Sequence, residues 1–151
     1  MNQLEKWHSD GVISLKFPEH AQGEAESGCD ARRTRKARSY LIPQAYITTD
    51  DEQKALSEIE RIIFGNARLS KQDKNDALIV FTARKYFGVL VTADGKQLRA
   101  AEQLHHRLGV QVMNAEDAVK LCRKLIAARD RGARLYAKRQ ENPLPDWVGK
   151  D

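Results

Sequence analysis

Two acidic positions in this chain have the setting that metal or phosphate chemistry requires. Asp76 sits in Asn75-Asp76-Ala77-Leu78-Ile79, inside a segment with helical periodicity. Asp94 ends Val89-Leu90-Val91-Thr92-Ala93-Asp94, an apolar run that closes in Thr-x-Asp. An acid in the first turns of a helix and another just past the carboxyl end of a strand converge where open α/β sheets bind their ligands. Carboxylates gathered at one point repel each other unless a cation lies between them, and oxygen donors of this kind suit Mg²⁺ or Mn²⁺. Asp73, on the same helix face as Asp76, and Asn75 beside it are supporting groups.

The elements that must position these residues read as follows. A helix covers residues 1–9, and Asp10-Gly11 turns the chain into Val12–Phe17, where Ile13, Leu15 and Phe17 alternate with polar neighbours as in a half-buried strand. Pro18 ends that strand, a short helix spans Glu19 to Glu26, and Ala45–Thr48 is a further short strand. Thr49-x-x-Glu52 has the form of a capping box, and Ala55, Leu56, Ile59, Ile62 and Ile63 then line one helical face until Gly65-Asn66 stops it. Ser70, with Asp73 three residues on, opens the next helix, which runs to about Phe87. Val89-Leu90-Val91 reads as a central parallel strand covered on both faces. A helix with Leu98, Ala101, Leu104 and Leu108 on its inner stripe follows, capped by Gly109. Then come a short strand at Val110–Val112 and a last helix from Asn114, which Gly132 could interrupt. Strands alternating with helices predict an α/β fold, three-layer, with a mostly parallel sheet flanked by helices. The expected organisation is one domain over residues 1–140 and a tail over 141–151, with Trp147 as the residue able to dock that tail.

The 151 residues are 41% hydrophobic and 31% charged, a composition that excludes a disordered chain. No apolar run reaches the ~20 residues a membrane span needs, and the first ten residues lack the pattern of a secretion signal. Cys29 and Cys122 form no C-x-x-C pair and read as reduced thiols, which predicts a cytoplasmic protein without a zinc site. The net charge of +5 is unevenly placed. Arg32, Arg33, Arg35, Lys36 and Arg38 form one basic cluster. A second tract runs through Arg123, Lys124, Arg129, Arg131, Arg134, Lys138 and Arg139. Either is a solvated surface or an electrostatic footprint for nucleic-acid phosphates, and the first cluster is the candidate nucleic-acid contact.

The order of these motifs resembles the PIN-domain family, metal-dependent ribonucleases that include many toxins of bacterial toxin–antitoxin pairs. The resemblance spans roughly Leu4 to Leu125. It rests on Ala55-x-x-x-Ile59, Asp76-Ala77-Leu78-Ile79 and Leu90-Val91-Thr92-x-Asp94. It implies Mg²⁺ or Mn²⁺ as cofactor and RNA as substrate. Asp76, Asp94 and Glu24 would be ligands and catalytic acids, with Glu26 a weaker match for the family's glutamate and Thr92 the accompanying hydroxyl residue; an antitoxin-like protein and a second copy of the chain would be partners. The family's first strand and its aspartate have no counterpart here. The resemblance therefore implies a slot in the sheet between the strands at Val12 and Val89, left by a start at an internal Met, filled by a partner chain, or lost on repacking.

Other readings of the same residues compete. Asp76 near a helix start offsets the helix dipole, and Asp94 before Gly95 is an N-cap or turn residue. His105 and His106, adjacent on a helix, cannot clasp one ion, and His8 and His20 have no partner at ligand spacing. No glycine-rich phosphate loop or nucleophile constellation is present. A non-catalytic RNA- or protein-binding module, or an unrelated α/β nucleotide domain, would share most of these features.

Overall fold

A computed structural model describes residues 3–18, 41–43, 45–86 and 88–149. The expected helix at Glu19–Glu26, Glu24 as a ligand and the basic cluster from Arg32 to Arg38 lie outside the described residues.

The chain divides into two compact units. The first combines residues up to Leu15 with Ala115 onward; the second is Lys16–Asn114. In the first unit, α1 (Gln3–Ser9) buries Leu4 and Trp7. Its end is a Schellman turn: Gly11, at φ 71°, donates its N–H to the His8 carbonyl and Val12 donates to the Trp7 carbonyl. The amides of Val12 and Ile13 both point back to Trp7, so they cannot join a strand ladder. The alternating segment Val12–Lys16 is accordingly irregular, and only Phe17–Pro18 is extended enough to pair, as β1.

In the second unit, β1 pairs in parallel with β2 (Leu41–Ile42). The expected strand at Ala45–Thr48 has no ladder; it is irregular backbone leading to α2 (Asp50–Phe64). Thr49 caps α2, accepting the Glu52 N–H at 3.2 Å. The Glu52 carboxylate reaches back one residue further than the box pattern implies, accepting from the amide and hydroxyl of Thr48 at 2.7 and 2.9 Å. Helix α3 (Lys71–Tyr86) starts at a reciprocal capping box. Asp73 donates its N–H to Ser70 Oγ at 3.1 Å, and Ser70 donates its own N–H to the Asp73 carboxylate at 3.0 Å.

Helices α2 and α3 pack together through Ile59, Ala77, Val80 and Phe81, all fully buried. Strand β3 (Val89–Val91) pairs in parallel with β4 (Gln111–Met113). Between them run α4 (Gly95–Arg99) and α5 (Ala101–Leu108), two helices broken at Ala100 where one continuous helix was expected. Leu104 of α5 is buried, and Gly109, left-handed at φ 71°, ends that helix with its N–H on the His105 carbonyl. The last helix, α6 (Ala115–Gln140), belongs to the first unit and passes through Gly132 without interruption.

The expected three-layer, mostly parallel α/β sheet is not what forms. Six helices dominate the described residues, and the strands make two separate two-stranded parallel pairs, β1–β2 and β3–β4. Val89 and Val91 are 38% and 39% exposed, so β3 is not a central strand covered on both faces. Among the described residues β1 and β3 share no sheet, so the expected slot between them is not formed there. The apolar run at 89–91 is a short ladder supported by helices. An isolated two-stranded ladder is marginal in water, and here β4 is held by Val110 and Val112, buried in the same core as Leu104. No helix among the described residues is long and apolar enough to cross a membrane.

Candidate functional site

The backbone runs out of β3 into Thr92, whose amide still donates to the Met113 carbonyl at 3.0 Å. Thr92 Oγ1 accepts the Asp94 N–H at 3.0 Å, which bends the chain away from the ladder. Asp94, extended at φ −68° and ψ 119°, then caps α4: its Oδ1 accepts the Gln97 N–H at 2.8 Å and its carbonyl accepts the Leu98 N–H. Its carboxylate thus lies at the carboxyl end of a parallel strand and at the amino end of a helix. The helix end is where orphan backbone N–H groups favour an acidic side chain.

Asp76 reaches the same place from α3. Gln97, only 3% exposed, turns its side-chain Nε2 to the Asp76 carbonyl oxygen at 3.5 Å while its backbone N–H is held by Asp94. Gln97 therefore links the backbone of Asp76 to the carboxylate of Asp94. The Asp76 carboxylate accepts from Gln72 Nε2 at 3.3 Å, one turn earlier on α3. Asn75 is half-buried on the same helix.

Asp73 belongs to the neighbourhood but has other work. Lys96, on α4, donates to Asp73 Oδ1 at 3.1 Å and lies 5.2 Å above the centre of the Phe64 ring. The Ser70 hydroxyl, then the Ser70 amide, then the Lys96 ammonium hold the Asp73 carboxyl down at about 2. Asp73 is thus a helix-capping acid with its charge matched.

The orientation of the Gln97 amide follows from its neighbour. An amide oxygen facing the Asp76 carbonyl would repel it, so Nε2 takes that side. Oε1 is then buried with no hydrogen-bond partner among the described residues. A buried acceptor without a donor is costly, and each one calls for an explanation. An amide oxygen is the kind of donor that a hard divalent cation takes, and Mg²⁺ needs only one or two carboxylates, with waters completing its shell. Among the described residues, no three His, Cys, Asp or Glu side chains group as a metal site.

No protein-family model, no curated protein and no solved structure matches this chain.

Gln97 and Lys96 are the residues that sequence reasoning missed. The signal was present: Asp94-x-x-Gln97 has the spacing of a capping box. The Gln97 side chain departs from that pattern because Thr92 already accepts the Asp94 amide, which frees Gln97 to reach α3.

Proposed function

We propose that this chain is a metal-dependent phosphodiester hydrolase acting on RNA, with Asp76 and Asp94 as the carboxylates that hold Mg²⁺ or Mn²⁺. The observation that carries this reading is Gln97, whose backbone N–H is held by the Asp94 carboxylate, whose Nε2 is held by the Asp76 backbone carbonyl, and whose buried Oε1 has no donor among the described residues. A bound ion would supply a Lewis acid for a phosphate oxygen and a water of lowered pKa. The protein's own groups orient this corner: Thr92 sets the turn, Asp94 fixes the start of α4, and Lys96 neutralises Asp73.

The test has two readouts. Mn²⁺ at about a hundred times its Kd would stabilise the folded chain by about 2.7 kcal/mol, seen as a rise in Tm. A fluorescent RNA would be cleaved only with the metal present. Asp76→Asn removes both effects; cleavage and metal-dependent stabilisation that survive in Asp76→Asn refute the reading.

A second reading, a binding module without hydrolysis, is favoured by the double duty of Asp94, whose carboxylate already serves the helix cap. It requires RNA binding with no metal-dependent shift in Tm.

A further inference from the structure

Helix α6 sorts its charges by face. At about 100° per residue, Lys120, Arg123, Lys124, Arg131, Arg134 and Lys138 fall within a stripe roughly 100° wide, and all six are exposed. The buried residues Ala118, Ile126 and Ala137 lie outside that stripe, and Asp130 lies at its edge, where its charge acts on Arg134. From Ala118 to Gln140 the chain carries a single carboxylate, Asp130. That carboxylate is 8% exposed and accepts from Arg129 and from the Gly149 amide. The first cation, Lys120, is paired with Glu116 and Asp117. Beyond it the outer face is uniformly basic, and the stripe runs for about 27 Å at 1.5 Å per residue.

We infer that this stripe binds duplex DNA through its phosphates. A row of fixed cations on a straight rod matches a polyanion of regular charge spacing, and counterion release drives such binding without base readout. Single strands are disfavoured because they need aromatic stacking platforms, and the exposed aromatic of α6, Tyr136, lies about 160° round from Lys138. Ala127, exposed within the stripe, leaves room for close approach. The B-form major groove is wide enough for an α-helix, whereas the A-form major groove is deep and narrow.

The full chain is titrated into a fluorescein-labelled 20-base-pair duplex of mixed sequence, with anisotropy read from 50 to 200 mM salt. Five engaged cations predict a slope of log K against log salt near about −4.5. Arg131→Ala with Lys138→Ala lowers affinity about tenfold or more and reduces the slope by about 2. Arg131→Lys with Lys138→Arg restores both. Arg68→Ala with Arg84→Ala, the same charge change on the second unit, alters affinity less than twofold. Alanine is the best helix former, so far-UV circular dichroism should be unchanged in the test pair. Equal losses in the test and control pairs, equal or tighter binding to duplex RNA or to single strands, binding to phosphatidylserine vesicles but not to DNA, or no binding at all would each overturn the assignment. The titration is run in EDTA with no divalent metal present, so failure here is separable from failure at the acidic corner.

Discussion

Asp94 accepts the backbone N–H of Gln97 at 2.8 Å, and that one bond both starts a helix and fixes a carboxylate at the end of β3. The two duties separate by mutation, because asparagine caps a helix as well as aspartate does. Asp94→Asn is expected to keep thermal stability within a few tenths of a kcal/mol while removing Mn²⁺-dependent stabilisation. Asp94→Ala loses the cap as well, at about 0.5–2 kcal/mol. Urea unfolding of both variants, with and without Mn²⁺, is the measurement. Retained stabilisation by Mn²⁺ in Asp94→Asn excludes Asp94 as a ligand.

Acid should destabilise the second unit over a defined range. Lys85, then the amide and hydroxyl of Thr48, hold Glu52 at about 2, against an ordinary 4.5. Arg61 and Arg107 do the same for Glu58, and Asp73 is lowered from 3.8 to about 2. The unfolded chain takes up these protons first, so the stabilisation is complete above about pH 4.5 and is lost as pH falls toward 2. Tm should fall steeply over that interval. Glu52→Gln should flatten the decline; a decline of unchanged steepness would show that Glu52 is not coupled to folding.

Helix α6 ends in a strained residue. Glu141 has φ 53°, and the next amide, Asn142, donates back to the Ala137 carbonyl at 3.1 Å. This is the position where helices ordinarily place glycine. Glu141→Gly is expected to stabilise the chain by about 1 kcal/mol, since the left-handed cost exceeds the added entropy of glycine in the unfolded state. Calorimetry would show a higher Tm; a lower one would place the strain elsewhere.

The tail after α6 is attached through Arg129. Its guanidinium lies 4.5 Å from the centre of the Trp147 ring and donates to the Trp147 carbonyl at 3.2 Å. Trp147→Ala should cost about 0.5–1 kcal/mol, a value typical of a part-exposed cation–π contact. Limited proteolysis would then cut between Pro145 and Gly149 sooner than in the parent chain. Equal cutting rates would mean that the Asp130–Gly149 bond alone holds the segment.

Sequence reasoning worked where structure is decided locally. The caps at Thr49, Ser70 and Asp94 and the stops at Gly65 and Gly109 involve groups within a few residues of each other, and their residue types announce them. The docking of Trp147 was legible as a lone aromatic in a proline-rich tail. The sheet was not legible, because pairing depends on distant partners. Val12–Phe17 alternates as a strand would, yet its first amides bond to the end of α1. Val89-Leu90-Val91 is apolar throughout, but among the described residues it pairs with β4 alone and leaves two valines exposed. Around Asp94, motif order pointed to the turn after β3 and to the helix that carries Asp76, and Gln97 links the backbone of one to the carboxylate of the other. The inward turn of Gln97 was not legible, since glutamine on a helix ordinarily faces water, and neither was the exposed Lys96, whose partner Asp73 lies 23 residues away on α3.

The β3–β4 ladder is three residues long on each side, whereas Val80 and Phe81 sit fully enclosed within α3. Deuterium from the solvent should therefore enter the strands early and the middle of α3 last. The slowest isotopic replacement would mark a helix pair as the unit that opens only when everything opens, with the strands as followers of that event.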